Sequence, residues 1–296
     1  MSARSLAEHA FNILTRGCAG DSQALLAFAS SFTEDGTLWL PPLPRATSPF
    51  VGRAAIKDVL LDVVAPAYAD GLKLTLFHSL EGAGRIAFQV QEQGRSRDGS
   101  SYLGSPIISF ALRGDAISSC WKFAGGPRYF ESAMNASAGR DGFDPVARAA
   151  AARALTDLRQ ALARDSRALT RLLAALTDDV HLWLPPDARL PSPLVGRAAA
   201  GRLLSDVLLR LYPGGLAIRA LRALSGGTRT AFELQSVGVD TGGAEHVVNL
   251  MLSMELCEGR LARAWVHWGG PGFFDAWTPD HGTGEAVSPG VPRAAT

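Results

Sequence analysis

Leu38-Trp39-Leu40-Pro41-Pro42, followed after a short loop by Ser48-Pro49-Phe50-Val51-Gly52-Arg53-Ala54-Ala55, is a phrase that the chain uses twice. It returns as Leu182-Trp183-Leu184-Pro185-Pro186 and Ser192-Pro193-Leu194-Val195-Gly196-Arg197-Ala198-Ala199, with the same internal spacing. A shift of about 144 residues lays Asp21–Phe130 on its own continuation without a gap, and self-similarity of this kind is settled before any motif is read. Working outward, Asp21-Ser22 meets Asp165-Ser166, Tyr68 meets Tyr212, Ala87-Phe88 meets Ala231-Phe232, and Trp121 meets Trp265. Two copies are too few for a solenoid, and each is long enough for its own core, so the pattern is a tandem domain duplication.

The bulk numbers agree. A length of 296 residues suggests about two domains. Hydrophobic residues make up 47% and charged residues 19%, which excludes a disordered chain. The formal net charge of +1, with no basic run, gives no support to a nucleic-acid or membrane-surface role. Cys18, Cys120 and Cys257 are odd in number and widely spaced, which fits a reducing cytoplasm and makes neither a disulfide framework nor a zinc set. Met1–Arg16 reads as an amphipathic first helix and not an export signal. No stretch reaches the roughly 18 apolar residues of a membrane helix.

Within each copy helices come first and strands follow. Asp21 or Ser22 caps a helix to about Phe32, since a side-chain oxygen there accepts the free amides of the first turn. A short strand Thr37–Leu40 ends at Pro41-Pro42, which cannot donate to a ladder. Gly52 turns the chain into a helix over about 53–65. Strands Leu72–Leu80, Arg85–Glu92, Tyr102–Leu112 and Ala116–Phe123 follow with period-2 alternation and hairpin punctuation. The second copy repeats them as Leu216–Leu224, Thr230–Val237, His246–Leu256 and Arg260–Trp268, after a helix begun by Asp144-Pro145. The expected division is a domain over 1–134, a linker over 135–143, a second domain over 144–277 and a mobile tail over 278–296. The expected fold class is α+β: two tandem cystatin-like cones, each a curved antiparallel sheet with helices across its mouth, whose interior is a natural ligand pocket.

This order resembles the nuclear-transport-factor-2-like superfamily, and more narrowly its SnoaL-like and ketosteroid-isomerase-like branches. The residues that carry the resemblance are Ala19-Gly20-Asp21, Phe32-Thr33-Glu34-Asp35, Leu38–Pro42, Gly52-Arg53 and Gly114-Asp115-Ala116-Ile117. In the second copy they are Asp165, Leu176-Thr177-Asp178-Asp179, Leu182–Pro186, Gly196-Arg197 and Glu258-Gly259-Arg260-Leu261. The resemblance implies an intramolecular pseudo-dimer, because such domains often pair through the outer sheet face. It also implies a cofactor-free cyclase or isomerase. The family's catalytic carboxylates are missing, however. Leu40 and Leu184 stand where an isomerase-type Asp precedes the Pro, and Lys122 and Val266 stand where a cyclase-type Asp is placed on the last strand.

The resemblance marks Lys122 by its last-strand position, and alternation assigns the inward faces of the other strands. Lys122 is the first candidate, as a desolvated base with a lowered pKa or as a group that polarises a carbonyl; a surface lysine is the plain alternative. Tyr102 could donate to an oxyanion, or be a core tyrosine. Glu92 could pair with either, or sit at a solvated strand end. His78 and His246 fall on inward faces, as acid–base groups or as structural histidines. Leu40, Phe88, Ile108 and Phe110 in the first copy, and Leu184, Phe232, Leu252 and Trp268 in the second, are the expected substrate-binding wall. The histidines show no ligand spacing, and there is no phosphate loop. The partner class is therefore a small hydrophobic molecule, with no metal, cofactor, nucleic acid or membrane. Three functions stand open: a cyclase or isomerase acting on a polyketide- or terpenoid-like molecule, a non-catalytic carrier, or one working copy with the other as scaffold.

Overall fold

The computed structural model describes residues 2–41, 48–82, 84–96, 99–125, 144–184 and 192–269. The expected linker, the tail and the end of the second domain at 277 lie outside them. In the first half, α1 (Ala3–Cys18) and α2 (Ser22–Ser30) lead into β1 (Phe32–Trp39), β2 (Phe50–Val51) and α3 (Gly52–Val59). A π-helical turn, Leu60–Val64, and a short 3-10 turn, Ala65–Ala67, follow. Then come β3 (Tyr68–Gly82), β4 (Arg85–Ser96), β5 (Ser101–Gly104), β6 (Ile107–Arg113) and β7 (Ala116–Phe123). The second half repeats the plan with α4 (Pro145–Leu162), α5 (Ser166–Ala174), β8 (Leu176–Trp183), β9 (Leu194–Val195) and α6 (Arg197–Arg202). A π turn (Leu203–Leu208) and α7 (Leu209–Leu211) lead to β10 (Ala217–Gly226), β11 (Arg229–Val239), β12 (Glu245–Cys257) and β13 (Arg260–Trp268). Among the described residues no helix is long and apolar enough to cross a membrane.

The repeated phrase has a structural reason. Leu40 donates its amide to the Ser48 hydroxyl, which donates back to the Leu40 carbonyl, both at 2.8 Å. Leu184 and Ser192 repeat both bonds at 3.1 Å. The arginine after the glycine ties the helix start back to the first strand, Arg53 Nε to the Phe32 carbonyl at 2.6 Å and Arg197 to the Leu176 carbonyl at 2.9 Å. The sequence phrase is thus a clasp holding the first strand, a loop and the third helix together. Asp21 and Asp144 cap their helices as their types require, accepting from Ala24 and from Val146 and Ala147.

All the strands join one continuous sheet in the order β2-β1-β7-β6-β4-β3-β10-β11-β12-β13-β8-β9, with β5 paired to β4. The seam is narrow: β3 meets β10 through Glu81 and Ser225, and Ala124 bridges Trp268. Both bridges join a residue to its own equivalent in the other copy. That places a pseudo-two-fold axis through them, since only residues on such an axis meet themselves. Close contacts off the axis come in reciprocal pairs. A Cβ on Gly82 would strike the Ala223 carbonyl, and one on Gly226 would strike the equivalent Ser79 carbonyl. Arg85 reaches Glu233 at 3.2 Å, and its equivalent Arg229 reaches Gln89, the equivalent of Glu233, at 2.7 Å. Arg85 also lies 3.5 Å over the Trp121 ring and Arg229 lies 4.5 Å over that of Trp265. The two halves thus meet through equivalent residues of their sheets.

Three apolar clusters follow from the alternation. One fills the first cone around Phe11, Phe28, Phe88 and Phe110. Another fills the second around Leu155, Leu172, Phe232 and Leu252. The third, with Trp39, Leu80, Trp121 and Phe123 of one half and Leu221, Leu224 and Met251 of the other, lies between the sheets. Trp121 therefore belongs to the contact between copies.

Several element boundaries differ from expectation. β1 starts at Phe32 and β3 at Tyr68, earlier than the sequence suggests. The expected strand Tyr102–Leu112 is split at Ser105-Pro106 into β5 and β6, because proline has no amide to give the ladder.

Candidate active site

The first cone encloses a cavity of about 470 Å³, within the 300–1,000 Å³ range of small-molecule sites. Its walls are mostly hydrocarbon. Leu14 and Phe28 come from α1 and α2, Leu38 and Leu40 from the first strand region, Leu60, Val63 and Val64 from the π turn, and Leu72, Leu74 and Ile108 from the sheet. Against this lining stand Glu92, Tyr102 and Lys122. They come from three different strands. Glu92 lies opposite Gly104, and Lys122 opposite Ile108, so alternation turns all three toward the helices.

The three side chains form one constellation. Lys122 Nζ lies 2.6 Å from Glu92 Oε1. The Tyr102 hydroxyl donates to Glu92 Oε2 at 3.0 Å. Glu92 is 2% exposed, and the Lys122 side chain is 22% exposed. The Tyr102 ring packs on Tyr68, with centroids 5.3 Å apart.

The electrostatics correct one expectation and refine another. Burial pushes the Lys122 pKa down, but the Glu92 carboxylate and the two tyrosines outweigh it and hold the ammonium above its ordinary range. Lys122 is a permanent cation, not a lowered-pKa base. Burial, only partly offset by Lys122, raises the Tyr102 phenol, which stays protonated as a donor. Burial likewise pushes the Cys18 thiol up to about 12 and raises Cys120, so the cavity's two cysteines are neutral thiols and not nucleophiles. Glu92 is not at a solvated strand end: it lies at the polar end of the cavity, anchored by both partners.

Other expected site residues lie elsewhere. Leu40 and Ile108 are on the cavity wall, whereas Phe88 and Phe110 meet edge-on, with centroids 5.8 Å apart, within the core. His78 faces the second half, with Nε2 3.1 Å from the Gly226 carbonyl. A bulge between Leu76 and His78 adds one residue to β3, and one residue reverses the alternation. His246, the equivalent of Tyr102, is exposed; it pairs with Asp240 at 2.7 Å and meets the Tyr212 ring edge-on. Phe232 and Leu252 are core residues, Leu184 is half-buried in its clasp with Ser192, and Trp268 is 49% exposed at the bridge to Ala124. Among the lining residues missed from sequence are Tyr68, Cys18, Val63 and Val64. Tyr68 carried a signal, its match to Tyr212, but it stood outside the expected strand.

Among the described residues no group of three or more His, Cys, Asp or Glu is placed to hold a metal ion. No family model matches the chain, and no curated protein matches it. Solved structures do. An NTF2-like protein from Anabaena variabilis is 24% identical, with 41% of this chain and 88% of that chain covered, at a TM-score of 0.38. A protein with a ketosteroid isomerase-like fold from Catenulispora acidiphila, in complex with trimethylamine, is 14% identical over 38% and 83%, at a TM-score of 0.33. The epoxide hydrolase/cyclase-like enzyme SalBIII, described for pyran ring formation in the polyether salinomycin, is 18% identical over 41% and 89%, at a TM-score of 0.33. Each of these alignments spans about the length of one half. Each half is an α+β fold, helices packed on a sheet, and such a fold leaves its chemistry to the lining of its hollow. In the first half that lining is an ammonium, a carboxylate and a phenol facing hydrocarbon.

Proposed function

We propose that the first-half cavity is the active site of a SnoaL-like cyclase or isomerase that acts, without a cofactor, on a hydrophobic polyketide- or terpenoid-like carbonyl compound. The observation that carries this reading is the Lys122–Glu92–Tyr102 constellation set into an otherwise apolar hollow. A carboxylate offers about four acceptor positions, and two are used here, so Glu92 can still accept a proton. Lys122 has further N–H bonds with which to hold a substrate oxygen while it keeps Glu92. Glu92 takes a proton from the carbon beside the carbonyl, and the C–H electrons move to the carbonyl oxygen, where the fixed ammonium stabilises the enolate. In isomerisation the enolate collapses onto another carbon, which recovers the proton. In cyclisation the enolate carbon attacks a second carbonyl of the same molecule, whose oxygen takes the proton from Glu92. Mass is unchanged in both. The greasy wall orients the chain and keeps water out.

Exchange of the α-hydrogens of 2-tetralone for deuterium in heavy water, followed by nuclear magnetic resonance, tests the chemistry without the natural substrate. Acceleration by the protein that is lost in Lys122→Met and in Glu92→Gln supports the reading. Unchanged acceleration in both variants overturns it. A second reading, a non-catalytic carrier, is favoured by one observation: both Glu92 oxygens are engaged by Lys122 and Tyr102. Tight binding of 2-tetralone with no exchange would decide for the carrier.

A further inference from the structure

The second half touches the wall of the first-half cavity beside Ala124 and Gly125, and the contact is unlike its symmetric counterpart. The wall there is made by Pro106, Ala124 and Gly125. Ala124 exchanges two backbone hydrogen bonds with Trp268, at 2.6 and 2.8 Å, and Ser105 donates its amide to the Gly125 carbonyl at 3.3 Å. Next to this bridge stands His267, which is 0% exposed. Its ring lies against the backbone of Ser105 from the first half and of Met251 and Trp265 from its own. A Cβ on Gly125 would come within 2.8 Å of the His267 ring and would also strike the Ser105 carbonyl, so the glycine is the only residue type that fits between them. The pseudo-symmetric position of His267 in the first half is Phe123, an apolar member of the interface cluster. A polar ring has therefore been placed on one side of the pseudo-axis only, the side that backs onto the cavity carrying the polar groups.

We infer that His267 is a positioning residue, by which the second half holds the Ser105–Pro106 and Ala124–Gly125 wall and, through the adjoining end of β7, sets the place of Lys122. The inference rests on the reading of the first-half cavity as the binding site, and adds to it the role of the second copy. Lys122 is two residues from Ala124 on the same strand path, so a shift of the bridge moves its Cα directly. Burial pushes the His267 ring pKa down to about 3, so the ring is neutral and keeps one N–H donor and one acceptor for the backbone around it. Glutamine can supply the same pair of groups. Alanine and phenylalanine cannot.

The test uses the full chain with 15N-labelled lysine and reads two quantities that a purely structural role would leave alone. One is the Lys122 ammonium resonance, assigned by its loss in Lys122→Met, with exposed Lys57 as internal control. The other is the affinity for 8-anilinonaphthalene-1-sulfonate, an apolar anion sized for the cavity. His267→Ala and His267→Phe are expected to move the Lys122 resonance, leave that of Lys57 in place, and weaken the probe about tenfold. His267→Gln is expected to restore both. A Lys122 resonance and affinity unchanged in His267→Phe, or not restored by His267→Gln, would overturn the inference. If His267→Ala does not fold, His267→Phe, which carries the residue of the first half, takes its place. A probe that binds wild-type protein without any catalysis leaves this test intact while removing the proposed reaction, so the two readings fail separately.

Discussion

The two halves share a fold, a clasp and an axis, yet they differ where chemistry would happen. Glu92, Tyr102 and Lys122 in the first half correspond to Ser236, His246 and Val266 in the second. The wall differs too: Cys18, Val64, Ala67 and Ala124 correspond to the larger Leu162, Leu208, Leu211 and Trp268, while Phe28 and Cys120 correspond to the smaller Leu172 and Ala264. The first half sets a carboxylate, a phenol and an ammonium together in its hollow. The second has a hydroxyl, an outward histidine paired with Asp240 and an aliphatic side chain at the same positions. Both halves share the constraint of the interface. The interface residues accordingly still answer each other across the axis, as Arg85 and Arg229 do.

The largest effect should come from the interface, where the copies are nearly but not fully alike. Glu233 is 0% exposed and serves Arg85, Arg222 and Ser109, whereas its equivalent Gln89 is neutral and serves Arg229. Glu233→Ala should cost about 3–5 kcal/mol in urea unfolding, because it strands two buried guanidinium groups. Gln89→Ala should cost about 1 kcal/mol, since Arg229 keeps Glu255 at 2.8 Å. Equal losses would remove the distinction.

Next comes the charge in the cavity. Lys122→Met should lower the rate of 2-tetralone exchange by about 10²–10³, the usual loss for a transition-state charge partner, while Val266→Met in the second half should leave it unchanged. Because the folded-state Lys122 pKa is raised, the contribution of its ion pair to stability is complete below the ordinary lysine value of 10.5 and is lost only above it. The stability difference between wild type and Lys122→Met should therefore be flat from pH 6 to 9.

His267 titrates in the opposite sense. Its folded-state pKa is lowered from 6.5 to about 3, so its contribution is present above pH 6.5 and lost as pH falls from there toward 3. Urea midpoints at pH 7, 5 and 4 should show the wild type losing ground to His267→Phe as pH falls. The smallest effect should come from bulk alone. Ala67→Leu, which copies Leu211, should weaken 8-anilinonaphthalene-1-sulfonate by a few-fold with stability changed by less than about 1.5 kcal/mol.

Much of the fold was legible in the sequence because a duplication shows itself twice. The clasp, the caps at Asp21 and Asp144, and the strands Ala116–Phe123 and Arg260–Trp268 follow from residue types and period alone. The site was legible as residues and not as a constellation. Alternation brings Glu92 and Tyr102 to one face and the resemblance marks Lys122, but their mutual distances depend on the course of three strands, which a linear pattern does not encode. His78 is displaced by a bulge of one residue, an event that period-2 reasoning cannot register. The direction of the Lys122 pKa turns on the burial of its partner Glu92, which the sequence leaves between pairing and a solvated strand end. His267 was visible only as a histidine beside Trp265, since its neighbour Ser105 lies in the other half.

The most direct measurement is the stoichiometry and location of an apolar ligand, by titration calorimetry with 8-anilinonaphthalene-1-sulfonate and by ligand contacts in nuclear magnetic resonance. One molecule per chain, touching Tyr102 and Ile108 and bound a few-fold more weakly in Ala67→Leu, is the expected result. Two equivalent molecules per chain, or one bound against Leu252 and Val266 of the second half, would contradict the division of labour between the copies.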